Sequence, residues 1–270
     1  MGLSIGTASG GPGLSGLNVA RMNDYWLGGQ HHGEAHREFA DRVAIAAPYL
    51  PYLVRAQRAL LHRMVRYLMD QGVRQFLDLG SGLPTAGHVH EVAQDRDPAA
   101  RVVYVDFDSS IVADGQRLLD GNDKAALLDT DIRQPRTVLD VLRERRLLDL
   151  REPVAVLAIA ILQHIPDADD PAGVIAAYLD AMCPGSYLAL AHYGPDEHLT
   201  KGIARFSQLN FGQVPAVTFR DRTSVAHFFA GLELVDPGIV PIIKWRPDPD
   251  DDPGINPEQH PIFAGVGRKS

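Results

Sequence analysis

The chain has 270 residues, 45% hydrophobic and 22% charged, with a net charge of -8; this suits one large globular unit or one with an appended lobe. The acidic balance argues against tight binding to nucleic-acid backbones or anionic membranes, and no apolar run approaches the ~20 residues of a membrane span. A single cysteine, Cys183, allows no intramolecular disulfide and predicts a reducing, cytoplasmic setting.

Residues 1–17 are rich in Gly and Ser and read as a flexible tail, without the basic region or apolar core of a signal peptide. Asn18 can cap a helix over "VARMNDYWL" that Gly28 and Gly29 end. A second helix is expected from Glu34 to Ala46, ahead of Pro48. A third runs from about Leu50 to Met69, where Leu53, Leu60, Leu61, Met64 and Leu68 keep the helical period and Gly72 supplies the stop. These helices, residues 18–72, are expected to form a cover over a domain spanning 73–270.

Within that domain strands and helices alternate. "VRQFLDLG", "RVVYVDFD", "KAALLDTD", "PVAVLAIAIL" and "SYLALAH" read as strands. Helices are expected over 84–95, 109–120 and 136–147, and another opens at Asp170 and Pro171. The pattern is that of a doubly wound parallel α/β sheet, with the fourth strand apolar enough to be covered on both faces. The alternation breaks at about 194–220, where "DEHLTKGIARFSQLNF" reads as an inserted helix capping the sheet's carboxyl edge. "TSVAHFFAGLEL" reads as one further helix, "GIVPI" and "PIFAGVGRK" as two last strands, and residues 244–260 as a Pro- and Asp-rich surface loop.

The first strand runs into a glycine turn, "FLDLGSGLPT", at the strand end where open α/β sheets bind ligands. Gly80 and Gly82 let the backbone approach a ligand. A dinucleotide fingerprint needs a third glycine, and that position is Thr85. Asp78, two residues before Gly80, would repel a pyrophosphate and attract the ammonium of S-adenosylmethionine. Asp78 can otherwise cap the turn through nearby N–H groups. Asp106 stands at the second strand end, 24 residues after Gly82, where a ribose diol would lie. Asp108 is the alternative, and either can cap the next helix. At the third strand end Asp131 can accept from an adenine amino group and Ile132 can pack on its ring, unless Asp131 pairs with Arg133. Ser81 and Phe107, neighbours of these groups, complete the expected donor contacts. Arg21 and Tyr25, four apart on one helical face, are expected to reach the donor from the cover. His164 and His192, past the fourth and at the end of the fifth strand, are candidate bases, each with an ordinary structural role as the alternative. No metal site is expected: His31, His32, Glu34 and His36 lack a ligand frame.

The segments "NVARMNDYWLGG", "ADRVAIAAP", "RQFLDLGSGLPT", "ARVVYVDFD", "DIRQP", "IPDADDPAGV", "PGSYLALAH" and "FFAGLELVDPG" resemble the S-adenosylmethionine-dependent methyltransferase family common in actinomycete-type bacteria, long catalogued as a domain of unknown function. The resemblance implies a class I methyltransferase fold, Rossmann-like, with seven strands and the last antiparallel, and S-adenosyl-L-methionine as cofactor. It implies no acceptor. Asn23, Trp26, His31, His32 and Gln163 depart from the family pattern on the side expected to face the acceptor. The expected function is in-line methyl transfer to a small-molecule acceptor. The alternatives are a non-catalytic sensor or scaffold that holds the donor, and a nicotinamide oxidoreductase, which Thr85 and Asp78 oppose. Nothing in the sequence specifies an oligomeric state.

Overall fold

The computed structural model describes residues 18–209, 216–251 and 261–270. The tail expected over 1–17 lies outside the described residues, as do 210–215 of the expected cap and 252–260 of the acidic loop. Five parallel strands, β1 (Gln75–Leu79), β2 (Arg101–Asp106), β3 (Ala125–Asp129), β4 (Val154–Ile159) and β5 (Tyr187–Tyr193), are joined by β8 (Ile262–Arg268), antiparallel to β5. Two short segments, β6 (Glu233–Leu234) and β7 (Val240–Pro241), pair in turn along the free edge of β8. The order is β3-β2-β1-β4-β5-β8-β6, so eight segments fill the seven expected strand positions. The order reverses between β1 and β4, which opens a crevice at their carboxyl ends.

Alternation along the strands sends side chains to two apolar cores. Phe76, Tyr104, Leu157 and Ala189 meet α3 (Leu50–Asp70), α4 (Val89–Arg96) and α5 (Ser109–Leu118) on one face. Leu77, Val105, Val156 and Leu190 meet α6 (Pro135–Glu144), α7 (Pro171–Asp180) and the segment around Val225 and Phe228 on the other. A third small core joins α1 (Val19–Trp26), α2 (Glu34–Ala46) and α8 (Glu197–Leu209) through Met22, Phe39, Val43, Phe206 and Leu209.

Local chemistry set most boundaries. Asn18 caps α1 by accepting from Ala20 N at 2.7 Å, and Asp170 caps α7 by accepting from Gly173 N at 3.0 Å. Three expectations need correction. The helix expected from residue 84 starts only at Val89, because Ala86 and Gly87 take positive φ and His88 with Glu91 forms the N-terminal capping box. The helix expected over 223–234 is the short α9 (Arg222–Ala226) and a 3-10 turn, after which Glu233 and Leu234 enter the sheet. Asp248 and Asp251 of the acidic loop are not merely solvated: they pair with Arg66 and Arg63 of α3. Arg63 also donates to the carbonyls of Trp245 at 2.9 Å and Ile242 at 2.7 Å.

Among the described residues no helix is long and apolar enough to cross a membrane, and no cluster of three His, Cys, Asp or Glu is placed to hold a metal.

Candidate functional site

The glycine turn leaves β1 beside β2 and β4. The N–H groups of Gly80 and Ser81 both donate to Val105 O, at 2.8 and 3.2 Å, which folds the turn back over β2. Gly80 (φ +68°) and Gly82 (φ +63°) take the left-handed backbone that this path requires. The fold itself uses both bare α-carbons. A Cβ on Gly80 would run into Ile161 at the exit of β4, and one on Gly82 would come within 3.2 Å of Ala20 on α1. Helix α1 therefore lies directly on the turn.

Asp78 is 4% exposed. Burial pushes its carboxyl up to about 7, against the nearby charge of Arg58 and with that of Asp106. His88 Nδ1 is 3.6 Å from Asp78 Oδ2. That ring is no counter-ion: burial, then Arg58, hold it well below its ordinary value. Its Nε2 donates to Ser81 O and its Nδ1 accepts from Val89 N. Arg58 comes from α3 and donates to Thr85 O at 3.2 Å. Among the described residues Arg58 and Asp78 make no ion pair. Two opposite charges thus face the turn without neutralising each other directly. Sequence reasoning missed Arg58; its signal was an arginine on an otherwise apolar helical stripe.

Asp106 accepts from Gly82 N at 2.9 Å and from Asp108 N at 3.0 Å, one bond to each oxygen. Each oxygen keeps a lone pair for a further donor. Asp108 is more heavily engaged: its Oδ1 caps α5 through Ser110 and Ile111, and its Oδ2 accepts from Asn18 Nδ2 at 2.5 Å. Phe107 between them is 67% exposed. Asp131 lies beside Arg133, which donates to it from Nε at 3.1 and 3.0 Å and from Nη2 at 2.6 Å. Burial alone would raise the Asp131 carboxyl, and the Arg133 bonds more than offset this, leaving it low. The structure thus takes the Arg133 alternative. Ile132 is packed in the core with Leu128 and Val138 and offers little surface to a ring.

The structure does not bring Arg21 or Tyr25 to the turn. Arg21 pairs with Asp114 and donates to His31 O, and Tyr25 donates to Asp41 at 2.9 Å. The polar tie from α1 to the turn is Asp24, which is buried. Asp24 accepts from Thr85 Oγ1 at 2.7 Å and from His31 N at 2.7 Å, and its Oδ2 is 2.9 Å from His32 Nδ1. Thr85, the residue that breaks the dinucleotide pattern, is the anchor for the cover. An acid within a helix followed by Gly28-Gly29 was the available signal: a Cβ on Gly29 would collide with Asp24.

The two histidines differ. His192 is fully buried: Nδ1 donates to Tyr193 O at 2.9 Å and Nε2 accepts from Arg220 Nη1 at 2.8 Å, so neither nitrogen is left to take a substrate proton. Burial, helped by Arg220, lowers it to about 4. His164 is exposed and its Nδ1 donates to Ala216 O at 3.1 Å. This fixes the tautomer and leaves the lone pair on Nε2, which has no partner among the described residues. Arg220, also missed, ties His192 to the carbonyls of Leu162 and Ile165. It borders a cleft of about 520 Å³ with Pro195, Phe219 and Phe228, to which the glycine turn does not contribute.

The family described as S-adenosyl methyltransferase matches residues 14–270. The chain belongs to this S-adenosyl methyltransferase family. A DUF574 family protein from Streptomyces avermitilis is 36% identical, with a TM-score of 0.83 over 94% of this chain and 97% of that one. A proposed methyltransferase from Thermobifida fusca is also 36% identical, with a TM-score of 0.82 over 96% and 98% of the two chains. The plantazolicin methyltransferase BamL, at 9% identity and a TM-score of 0.52, shares the fold. No curated protein matches. The methyltransferase has S-adenosylmethionine as its cofactor, and the turn fits it: opposite unpaired charges suit its zwitterionic end, and Asp106 suits its diol.

Proposed function

We propose that this methyltransferase acts on a small-molecule acceptor by in-line transfer at the carboxyl ends of β1 and β4. The observation that carries the reading is the Asp78 carboxyl and the Arg58 guanidinium at the glycine turn, near enough to act on each other yet joined by no ion pair among the described residues. Asp78 holds the ammonium and Arg58 the carboxylate of one zwitterion. The free lone pairs of Asp106 accept both ribose hydroxyls, and the exposed ring of Phe107 offers the adenine a stacking face. Ser81 and Gly82 shape the turn around these groups. When bound, the donor supplies a methyl carbon already activated by its sulfonium. Alignment does much of the rest, worth up to about 7–11 kcal/mol in well-oriented cases. His164 Nε2 takes the proton that the acceptor releases.

Residues 18–72 with the 194–220 segment serve as the cover of a methyltransferase domain at 73–270, and the small core shared by α1, α2 and α8 supports this division. Calorimetry with the donor tests the site. Arg58→Ala and Asp106→Ala should each weaken binding by about 1–3 kcal/mol, as expected for losing charge-assisted hydrogen bonds. An Arg58→Ala variant that holds the donor as tightly as the wild type would sink the zwitterion site.

A further inference from the structure

The groups proposed to hold the donor's zwitterion are closed off. Asp78 is 4% exposed, and Thr85, on whose carbonyl Arg58 rests, is 7% exposed. A donor can neither reach nor leave them unless a wall of the site moves. Three of the walls are fixed. Arg58 stands on α3, His88 opens α4 and Ile161 leaves β4, and their neighbours Leu61, Val89 and Leu162 are packed in the two sheet cores. The fourth wall is α1, and no apolar side chain of α1 belongs to either sheet core. Met22, Tyr25 and Trp26 pack instead in the third core, with Phe39 and Val43 of α2. Apart from Ala20 resting on Gly82, what holds α1 over the turn is polar. Asn18 Nδ2 donates to Asp108 Oδ2 at 2.5 Å, Arg21 pairs with Asp114, and Asp24 accepts from Thr85 Oγ1 at 2.7 Å. The helix thus touches Asp108, Gly82 and Thr85 in turn, from the ribose end of the site to the zwitterion end. The first two polar ties are part-exposed. The third is buried at both ends, with Asp24 2% exposed, and is a charge-assisted bond out of water.

We infer that α1 is the gate of the donor site and that the Asp24–Thr85 hydrogen bond is its latch. The inference rests on the donor site proposed above. When the bond breaks, α1 leaves the turn with α2, its own apolar core intact, and Arg58 and Asp78 open to solvent. When it forms again, α1 closes along the donor and keeps water out during transfer. Thr85 serves both sides of the site: its carbonyl takes Arg58 of the fixed wall, and its hydroxyl takes Asp24 of the moving one. The latch therefore sets how fast the donor enters and how fast the demethylated product leaves.

Thr85→Val keeps the shape of the side chain and removes the hydroxyl. In the full chain, with S-adenosylhomocysteine as the probe, association and dissociation should both quicken, each about tenfold, so that affinity changes little. Stopped-flow fluorescence reads association, since Trp26 lies on α1 itself, and a chase of radiolabelled probe with unlabelled reads dissociation. Loss of an ordinary binding contact would quicken dissociation alone. Thr85→Ser, which keeps the hydroxyl, should behave as wild type. An association rate unchanged in Thr85→Val overturns the inference, as does an equal acceleration in Thr85→Ser. Should Thr85→Val fail to fold, Arg21→Ala decides, because it cuts a tie whose two side chains are 21% and 22% exposed. It should quicken both rates roughly two- to fivefold, and an unchanged association rate there overturns the gate. Wild type that fails to bind S-adenosylhomocysteine would refute the donor site itself; wild type that binds it, with association untouched by these variants, refutes the gate alone.

Discussion

Arg220→Ala should lower the free energy of unfolding by about 3–5 kcal/mol. Arg220 is 6% exposed, and each of its five N–H groups has an acceptor. Nε and Nη2 donate to Asp167 Oδ1 at 2.9 and 2.7 Å, Nη1 to Leu162 O at 3.0 Å and His192 Nε2 at 2.8 Å, and Nη2 to Ile165 O at 2.8 Å. The ion pair is the lesser part, since the Asp167 side chain is 79% exposed. The larger part is the Ile165 carbonyl and the imidazole Nε2, which Ala would leave buried without donors, while Leu162 O keeps only the bond from Ile165 N. Arg220→Lys should recover less than half, because one ammonium cannot span four acceptor groups. Thermal unfolding should show a fall of roughly 6–20 °C for Arg220→Ala, at about 2–4 °C per kcal/mol. Arg246→Ala is the comparison. Arg246 donates to Asp236 O and lies 4.4 Å from the centre of the Tyr67 ring in an exposed setting, so its loss should be about 1 kcal/mol. If the two variants unfold together, Arg220 is not the staple of this edge. His192 gives a second readout: loss of the Arg220 charge should raise its pKa from about 4.

The sheet was legible because its signals are local. The apolar runs of β1, β4 and β5, the glycine turn, and the caps Asn18 and Asp170 each act within a few residues. The misread elements are those where one local signal outweighed another. Gly87 and the His88–Glu91 capping box delayed α4 against an apolar pattern that began earlier. Glu233 and Leu234 were drawn from a helical pattern into the sheet by pairing with Gly267 and Arg268, which no nearby residue announces.

The candidate site divides in the same way. Asp78, Gly80, Gly82 and Asp106 were expected at strand ends, and the structure places them there, because that position depends only on the local strand and turn signals. Asp131 and Asp108 look alike in sequence, but each is taken by neighbours, Arg133 for one and Ser110 with Asn18 for the other. The groups that were missed depend on distant partners. Arg58 reaches Thr85, Asp24 also reaches Thr85, and Arg220 joins Asp167 to His192. An arginine on a helix looks the same in sequence whether it faces water or a buried carboxylate. The cover shows this most clearly. Arg21 had the right charge and a suitable helical face, yet Asp114 of α5 holds it, and the cation whose charge acts on Asp78 is Arg58 on the helix beneath.

Donor affinity should fall about 100-fold between pH 7.5 and pH 5, the drop expected when the ligand needs the ionised form of a group titrating near 7. That group is Asp78, raised to about 7 chiefly by burial. In the ligand-free protein the sign is plain. Its unfolded value is about 3.9, so between there and about 7 the folded state holds a proton that the unfolded state has lost. The stability Asp78 contributes is full below about 4 and disappears as pH rises through 7. Binding reverses the preference, because the donor's ammonium favours the carboxylate. Around Asp78 stand Arg58, always charged, His88, held neutral by burial, Tyr104, raised well above its ordinary value, and Asp106. Asp106, itself raised by burial, adds only to the acid limb. Above pH of about 7.7–8.0 the donor's own α-amino group loses its charge, so affinity should fall again. Asp78→Asn separates these causes: it should reduce the acid limb to the part Asp106 contributes, keep the alkaline one weakened, and bind roughly 10–100-fold less tightly at pH 7.5, as a neutral amide replaces a carboxylate facing a cation. Calorimetry from pH 5 to 8.5 on both proteins reads this directly. Equal slopes in the two would take the ammonium away from Asp78, and with it the reason why a strand residue between Leu77 and Leu79 carries a charge.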